Sequence, residues 1–322
     1  MYFPPSALSP FFANERQAYL FLHLVAQHPR PSTATERTYR TTTSSGASTP
    51  PQPLPVTSTY EPTLTLSVVV PAYNEHARLP AMLLEAVEFL SSAYKPKDWE
   101  ILVVDDGSSD DTASVALRFA AESPLVEPGQ MRVVVLERNR GKGGAVAHGM
   151  RHVRGRYVIF ADADGASKFS DVAALMASVQ GVEKKGYGIV VGSRAHMVNT
   201  DAVVKRSFVR NLLMHSFHTL LKTVGVREIQ DTQCGFKLFS REAAKAVFED
   251  LRTEGWIFDI EVLLLARYKG IPVVEVPVSW HEVEGTKLDL VSDSIRMAWD
   301  LGVVRAGYAV GVYGVGPGGP GR

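Results

Sequence analysis

The sequence predicts an α/β fold, built on a doubly wound, mainly parallel sheet flanked by helices. Two observations predict it. Short runs rich in Val and Ile, the composition of buried parallel strands, alternate with stretches of helical periodicity. This alternation continues from about Thr63 to about Tyr308, a span long enough to bury a sizeable core. In such a sheet, ligands bind beyond the carboxyl ends of the strands, so functional residues are expected to follow the strands.

The elements follow one another in a regular order along the chain. The predicted strands are Leu66–Val70, Glu100–Val104, Arg132–Leu136, Tyr157–Ala161, Gly188–Gly192 and Ile271–Val276. The predicted helices are Leu79–Ser91, Asp111–Ala121, Gly144–His152 and Ser170–Val182. Several of these helices open with a Ser or Asp, residues that cap helix amino termini.

The segments outside this region differ in composition. Between Pro31 and Tyr60, 19 of 30 residues are Ser, Thr or Pro, which predicts a disordered linker. The apolar run Ala18–Ala26 has nine residues, fewer than the roughly 20 of a spanning helix, and supports neither an anchor nor a signal peptide. Gly311–Arg322 contains six glycines and is expected to be disordered.

Charge and cysteine content narrow the possible functions. Lys plus Arg and Asp plus Glu number 34 each, so a net charge of zero argues against a nucleic-acid partner. Cys234 is the one cysteine, which excludes an intramolecular disulfide and a cysteine zinc cluster. A reducing compartment fits this composition. The histidines show no spacing that indicates a metal site or a catalytic triad.

Four polar clusters follow the first four predicted strands. They are Pro71-Ala72-Tyr73-Asn74-Glu75, Asp105-Asp106-Gly107-Ser108, Arg138 to Gly144, and Asp162-Ala163-Asp164-Gly165. Each cluster taken singly is equally consistent with an ordinary strand-to-helix turn, because Asp, Asn, Gly and Ser are common turn residues. Together they bring several carboxylates to one sheet edge, where carboxylates repel one another unless a cation is present.

Asp162 and Asp164 are the candidate metal ligands. They lie two residues apart after an apolar strand, so both carboxylates can face the same side. Hard oxygen ligands shared with a diphosphate suit Mg²⁺ or Mn²⁺.

The glycine-rich loop around Lys142 is a candidate phosphate or ribose contact. It lacks the spacing and the Ser or Thr of a P-loop, and no G-x-G-x-x-G fingerprint follows the first strand. Backbone N–H groups and the Lys142 ammonium can still bind a phosphate.

Six motifs occur in order between Ser67 and Tyr308. They are P-A-Y-N-E (from Pro71), V-V-D-D-G-S (Val103), R-N-R-G-K-G-G-A (Arg138), D-A-D-G-A-S-K-F (Asp162), G-S-R-A-H (Gly192) and D-T-Q-C-G-F-K-L-F (Asp231). This series resembles the inverting family 2 glycosyltransferases, which have the GT-A fold. The fourth and sixth motifs resemble more narrowly the family of eukaryotic dolichyl-phosphate β-glucosyltransferases.

The resemblance implies a donor site for UDP-glucose. Its implied members are a uridine wall (Pro71, Tyr73, Glu75), a uracil or ribose contact (Asp106, with Asp105 as a second candidate), a metal on the diphosphate (Asp162, Asp164), and a phosphate contact (Arg194). Asp231 is expected to act with Gln233 and Lys237 as an orienting group rather than as a base.

The resemblance also implies dolichyl phosphate as the acceptor. Val203–Val224 has the pattern of a basic amphipathic helix, for which membrane association and core packing are equally good interpretations. Lys205, Arg206 and Arg210 are the candidates for holding the acceptor phosphate. Leu290–Val304 is a second amphipathic stretch that could lie at a membrane interface.

The chain departs from the family pattern in two places. Ala166 stands where related mannosyl-transferring enzymes have a third polar metal contact, so water, phosphate or Ser167 would complete the metal's ligands. Residues 1–62 look foreign to the family, whose usual amino-terminal membrane helix is missing from them. Either the start of this sequence is wrong or membrane attachment is peripheral.

These expectations divide the chain into a disordered or atypical segment (1–62), a GT-A domain (63–285), an amphipathic membrane-interface segment (286–310) and a Gly-rich tail (311–322). The implied location is the cytosolic face of the endoplasmic reticulum membrane, in the pathway of protein N-glycosylation. Two alternatives stay open: a mannosyltransferase that uses GDP-mannose, and a non-catalytic nucleotide-sugar-binding scaffold. A processive synthase is disfavoured because no Q-x-x-R-W motif occurs.

Overall fold

The computed structural model describes residues 30–59, 61–197, 229–283, 290–309, 313–316 and 319–320, with the backbone alone for 290–295. The strands are β1 (Thr38–Tyr39), β2 (Gln52–Pro53), β3 (Leu64–Ala72), β4 (Trp99–Asp105), β5 (Met131–Val135), β6 (Gly155–Ala161), β7 (Ile189–Ser193), β8 (Phe236–Ser240) and β9 (Val273–Pro277). The helices are α1 (Leu79–Ala93), α2 (Thr112–Glu122), α3 (Lys142–Met150), α4 (Val172–Val182), α5 (Arg241–Asp250), α6 (Phe258–Tyr268) and α7 (Leu290–Ala309).

Within the described residues, seven strands form one sheet in the order β5-β4-β3-β6-β8-β7-β9. β8 runs antiparallel to both of its neighbours, and all other pairs are parallel. The predicted α/β class with a mainly parallel sheet is confirmed, and the six predicted strands and the four helices predicted between them have bounds within two residues of observed ones. β8, α5 and α6 were not among the predicted elements.

Helices cover both faces of the sheet. One buried apolar cluster joins the sheet to α3, α5, α6 and α7, and the other joins it to α1, α2 and α4. The strands β3 and β4 contribute alternate residues to the two clusters, which explains their nearly continuous apolar sequences. With both faces buried, the loops at the carboxyl ends of the parallel strands are the accessible edge of the sheet.

Residues 30–59, which we call the N-terminal strap, are packed against the domain. Arg40 exchanges both backbone hydrogen bonds with Val133 of β5, at 2.9 and 2.8 Å. The buried Thr57 hydroxyl contacts the carbonyl oxygens of Met150 and Val153. The prediction of a disordered linker is therefore wrong over these residues. Hydrogen bonds to the domain order a segment whose own apolar content is too low to do so.

The helix α7 packs one side on the core. Met297, Leu301 and Val304 are buried, whereas the Trp299 side chain is 63% exposed. Of the apolar residues predicted at a membrane interface, Met297 thus belongs to the core and Trp299 faces outward. Across the described part of the chain, no helix combines the length and apolarity needed to cross a bilayer.

Candidate active site

The turns after β3 and β4 are tied together at the carboxyl edge of the sheet. Asn74, in the left-handed region at a φ of 53°, donates its N–H to the Ser108 hydroxyl at 2.9 Å. Glu75 donates its N–H to the Thr112 hydroxyl at 2.8 Å. Tyr73 leaves 38% of its surface exposed beside these turns. An aromatic ring is thus accessible on a rigid edge, as a uridine-binding wall requires.

Two predicted members of that wall are partly built into the protein. Pro71 is half-buried within β3. The Glu75 carboxylate is 8% exposed and pairs with the Arg78 guanidinium through two contacts, at 2.6 and 2.8 Å. The carboxylate is therefore fixed by Arg78, and its role toward a ribose hydroxyl stays a prediction.

Asp105 and Asp106 are both buried, each 3% exposed. The Asp105 carboxylate accepts a hydrogen bond from the Ser108 N–H. The two Asp106 oxygens accept from the N–H groups of Arg140 and Gly141, at 2.7 and 2.9 Å. Burial raises the pKa of Asp105. Burial also raises the pKa of Asp106 to about 7, although the hydrogen bonds from the two loop N–H groups act to lower it. Asp106 thus joins the glycine-rich loop to the β4 turn.

Asp162 and Asp164 lie beyond the carboxyl end of β6. Both are half-buried, and Ala163 between them is 4% exposed, as expected when alternate side chains face the cleft. Burial and the neighbouring Asp162 charge raise the pKa of Asp164. The Asp164 carboxylate accepts a hydrogen bond from the N–H of Ala166. The structure thus brings the two predicted metal ligands together.

The chemistry of this pair fits a divalent cation. Two carboxylates that repel each other, in a partly desolvated place, are the donor set that Mg²⁺ or Mn²⁺ shares with phosphates. A Cβ at Gly235 would lie 1.9 Å from an Asp162 oxygen, so the chain just before β8 approaches this carboxylate more closely than any side chain allows. No trio of His, Cys, Asp or Glu in the described ranges could hold a metal by itself. The remaining ligands would come from diphosphate and water.

A cation of the protein already lies on Asp162. The Lys142 ammonium, at the start of α3, is 2.7 and 2.9 Å from the two carboxylate oxygens. The same ammonium lies 5.8 Å from the centre of the Trp256 ring. The predicted phosphate contact is therefore at the site, paired with a predicted metal ligand.

Lys237 belongs to the layer beneath this cleft. Its side chain is fully buried, and its ammonium donates to the Asp259 carboxylate and, at 2.7 Å, to the Cys234 carbonyl oxygen. Sequence reasoning missed Asp259 and Trp256. The G-W-I-F-D run at the start of α6, which combines aromatic residues with an acid, was the signal that could have found them.

Arg194 and Asp231 form a bidentate pair. The Nε and Nη2 atoms of Arg194 lie 2.6 and 2.8 Å from the two Asp231 oxygens, and the Arg194 backbone N–H is 2.9 Å from the same carboxylate. The guanidinium carbon stands 5.6 Å from the centre of the Trp280 ring. Although burial acts to raise it, Arg194 holds the pKa of Asp231 below its ordinary value. An ionised, paired carboxylate is suited to orienting Arg194.

The loop that carries Asp231 is itself anchored. The Glu275 carboxylate accepts from the backbone N–H groups of Gln230 and Asp231, each at 2.8 Å. Gln233 is half-buried in the same loop. The acceptor-phosphate candidates Lys205, Arg206 and Arg210, and the predicted helix that contains them, lie outside the described residues.

Clustered acidic turns and a carboxylate pair thus lie at the carboxyl edge of this α/β sheet, where the resemblance of the motifs places a nucleotide-sugar site. The profile of Glycosyl transferase family 2 matches residues 67–248, and the chain belongs to this family. It is a glycosyltransferase, and within the family it is grouped with the dolichyl-phosphate beta-glucosyltransferases by the relatives described next.

Sequence relatives agree along most of the chain. The dolichyl-phosphate beta-glucosyltransferase of Saccharomyces cerevisiae is 46% identical over 304 residues, covering 92% of this chain and 90% of the relative. The human protein of the same name is 42% identical, covering 78% of each chain. The yeast alignment leaves fewer residues outside it than the 62 of the amino-terminal segment, so the prediction that this whole segment is foreign to the family is wrong.

Solved structures share the fold at low identity. A mycobacterial protein superposes with a TM-score of 0.54 at 21% identity, covering 76% of each chain. Glucosyl-3-phosphoglycerate synthase from Mycobacterium tuberculosis, in complex with Mn²⁺, UDP and glucosyl-3-phosphoglycerate, superposes with a TM-score of 0.52 at 19% identity, covering 76% of this chain and 81% of the synthase. These likenesses confirm the GT-A fold.

Proposed function

We propose that this chain transfers glucose from UDP-glucose to dolichyl phosphate, with inversion at the anomeric carbon, and releases UDP. The observation that carries the proposal is the identity to dolichyl-phosphate beta-glucosyltransferases over nearly the whole chain. The paired carboxylates at the carboxyl edge of the sheet supply the chemistry that such a donor needs.

The reaction is a single displacement. An oxygen of the dolichyl phosphate forms a bond to the anomeric carbon, and the bond from that carbon to the UDP oxygen breaks, its electron pair leaving with the diphosphate. A phosphate monoester has a second pKa near 6, so this nucleophile is largely ionised at pH 7. The transfer therefore needs positioning rather than a base. Arg194, held by Asp231, is available to bind phosphate oxygens through its remaining N–H groups.

Asp162 and Asp164 would hold Mg²⁺ or Mn²⁺ on the diphosphate. When bound, the cation would neutralise charge that develops on the leaving group. The protein contributes the close approach of Gly235, which fixes the Asp162 carboxylate, and the Lys142 ammonium beside it. The structural relative solved with Mn²⁺ and UDP supports this assignment by analogy of fold.

The acceptor is proposed to approach from a membrane surface at the cytosolic face of the endoplasmic reticulum. The described chain ends after β7 at Met197 and resumes at Ile229, before β8, and both strand ends belong to the edge that carries Asp162. Lys205, Arg206 and Arg210, between these two strands in the sequence, remain the proposed contacts of the acceptor phosphate. The exposed Trp299 offers α7 as a second interfacial contact.

The test is transfer of radiolabelled glucose from UDP-glucose to a short polyprenyl phosphate, detected as a mild-acid-labile lipid. We expect labelling with UDP-glucose, and its loss on addition of EDTA or in Asp164→Asn. Glu127, with a side chain that is 41% exposed in the loop before β5 at the opposite edge of the sheet, offers the control, and Glu127→Gln should retain activity. Labelling from GDP-mannose instead would establish the mannosyltransferase alternative, and UDP binding without turnover would establish the scaffold.

A further inference from the structure

The position of Lys142 creates a conflict over one carboxylate. Its ammonium lies within hydrogen-bond distance of both Asp162 oxygens, at 2.7 and 2.9 Å. Those oxygens are the ones that a divalent cation would take. An ammonium and a divalent cation on one carboxylate repel each other at short range, so metal binding at Asp162 favours departure of the ammonium.

We propose that Lys142 is an internal competitor of the divalent cation, paired with Asp162 before the metal binds and transferred to the donor diphosphate when it does. The proposal deepens the proposed function and rests on it. In this proposal Lys142 has two effects. It weakens metal binding when no nucleotide is bound, and it couples the binding of the metal to the binding of the nucleotide.

The surroundings of Lys142 allow this transfer. The side chain is 15% exposed, and its ammonium pairs with an Asp162 side chain that is 33% exposed. Asp259, whose charge also acts on this ammonium, is already neutralised by the buried Lys237. The Trp256 ring, 5.8 Å from the ammonium, offers a face that tolerates a cation without fixing it through hydrogen bonds. Asp162 is thus its charged hydrogen-bond partner, and a diphosphate brought by the metal is the natural replacement.

The consequence is a measurable coupling. Without nucleotide, the metal must break the Lys142–Asp162 pair, so its affinity is reduced. With UDP present, the displaced ammonium regains a partner, so UDP raises the affinity of the protein for the metal. By reciprocity, the metal raises the affinity for UDP by the same factor. Removing the ammonium should relieve the first effect and diminish the second.

The experiment is a titration of the purified full chain with Mn²⁺, followed by the loss of the free Mn²⁺ electron paramagnetic resonance signal, with and without UDP. We expect Lys142→Gln to bind Mn²⁺ about tenfold more tightly than the unsubstituted protein without UDP, the order expected when a charged hydrogen bond no longer has to be broken. We expect the factor by which UDP tightens Mn²⁺ to fall in this variant. Lys142→Arg, which keeps the charge, should retain most of both effects.

The readout is a gain in affinity, which a misfolded variant cannot produce. Unchanged or weaker Mn²⁺ binding by Lys142→Gln without UDP would overturn the competition. If Lys142→Gln raised the Mn²⁺ affinity by the same factor with and without UDP, Lys142 would act only as a nearby positive charge. That result would overturn the proposal that its ammonium moves to the diphosphate. Failure of the unsubstituted protein to bind either Mn²⁺ or UDP would instead contradict the proposed donor site.

Discussion

Gly235 lies so close to the Asp162 carboxylate that only a residue without a side chain fits there. Because β8 is antiparallel to β6, its first residues meet the last residues of β6, with Phe236 opposite Ala161. The chain just before β8 is pressed against the Asp162 carboxylate, where a Cβ would lie 1.9 Å from an oxygen. A glycine at this position is therefore required by contact with a functional side chain rather than by its own backbone angles.

Gly235→Ala should displace Asp162 and lower transfer by at least about tenfold, since errors near 1 Å at a reacting group cost up to about a hundredfold. The matched control is Gly181→Ala, an exposed position late in α4 where a Cβ meets nothing within 4 Å. That change should leave activity intact and stabilise the helix slightly. Initial rates and thermal unfolding of both variants test this, and equal rates would contradict the steric argument.

Asp106 predicts a pH dependence of stability. Its pKa is raised by burial to about 7 in the folded protein, from 3.8. The stability that it contributes is therefore complete below about pH 4 and is lost as the pH rises through 7, to the extent of about 4 kcal/mol. Asp106→Asn lacks this loss. The free energy of unfolding of the unsubstituted protein, minus that of the variant, should fall between pH 5 and pH 8 in urea titrations, and a constant difference would contradict the assignment.

At the scale of elements, the sequence predicts strands that local composition specifies and misses a strand that depends on a partner residue far along the chain. β3 and β4 were predicted because buried parallel strands are almost entirely apolar. β8 was not, because Lys237 interrupts its apolar run. That lysine is tolerated only because Asp259, 22 positions later in α6, neutralises it, and no local pattern reveals such a pair.

The Lys237–Asp259 pair is predicted to fix α6 against β8. Lys237→Met leaves Asp259 buried without its partner and should cost about 3–5 kcal/mol in the free energy of unfolding. The double variant Lys237→Met with Asp259→Leu should recover much of that loss. Lys245→Met, which breaks a surface pair with Glu242 in α5, is the control and should cost about 1 kcal/mol or less. Urea unfolding measures all three.

The same limit applies to the candidate site. The positions of Asp162, Asp164 and Lys142 were predictable because each follows a strand whose direction was predictable. Asp231 was expected as an orienting group, but its pairing with Arg194 was not predicted, and neither was that of Glu75 with Arg78, because sequence spacing does not encode side-chain geometry. Residues predicted to contact a ligand, such as Arg194 and Glu75, therefore also pair with other side chains of the protein.

Viewed as a whole molecule, the N-terminal strap is part of the site's support. Glu36, 3% exposed, pairs with Arg140, and Arg30 and Arg140 both bind Glu254. Arg140 and the next residue, Gly141, hold Asp106 through their backbone N–H groups. A buried charge cluster thus links the strap to the glycine-rich loop and to the chain before α6.

Glu36→Gln should weaken this support. We expect a loss of about 1–3 kcal/mol in the free energy of unfolding and a several-fold rise in KM for UDP-glucose, because the loop that carries Lys142 is less firmly held. Glu61→Gln, the same change at an exposed position, is the control. Steady-state kinetics with urea unfolding check both, and lost stability with an unchanged KM would confine the strap to a structural role.

The two backbone hydrogen bonds between Arg40 and Val133 have a consequence for solubility. β5 ends the sheet on one side, and an uncovered border strand offers its backbone groups to strands of other molecules. The strap occupies the N–H and carbonyl groups of Val133, in the middle of β5, with the peptide groups of Arg40. A truncated chain that begins after residue 59 would present an open template for intermolecular β-pairing, and its tendency to aggregate should rise with concentration even if its catalytic residues stay in place.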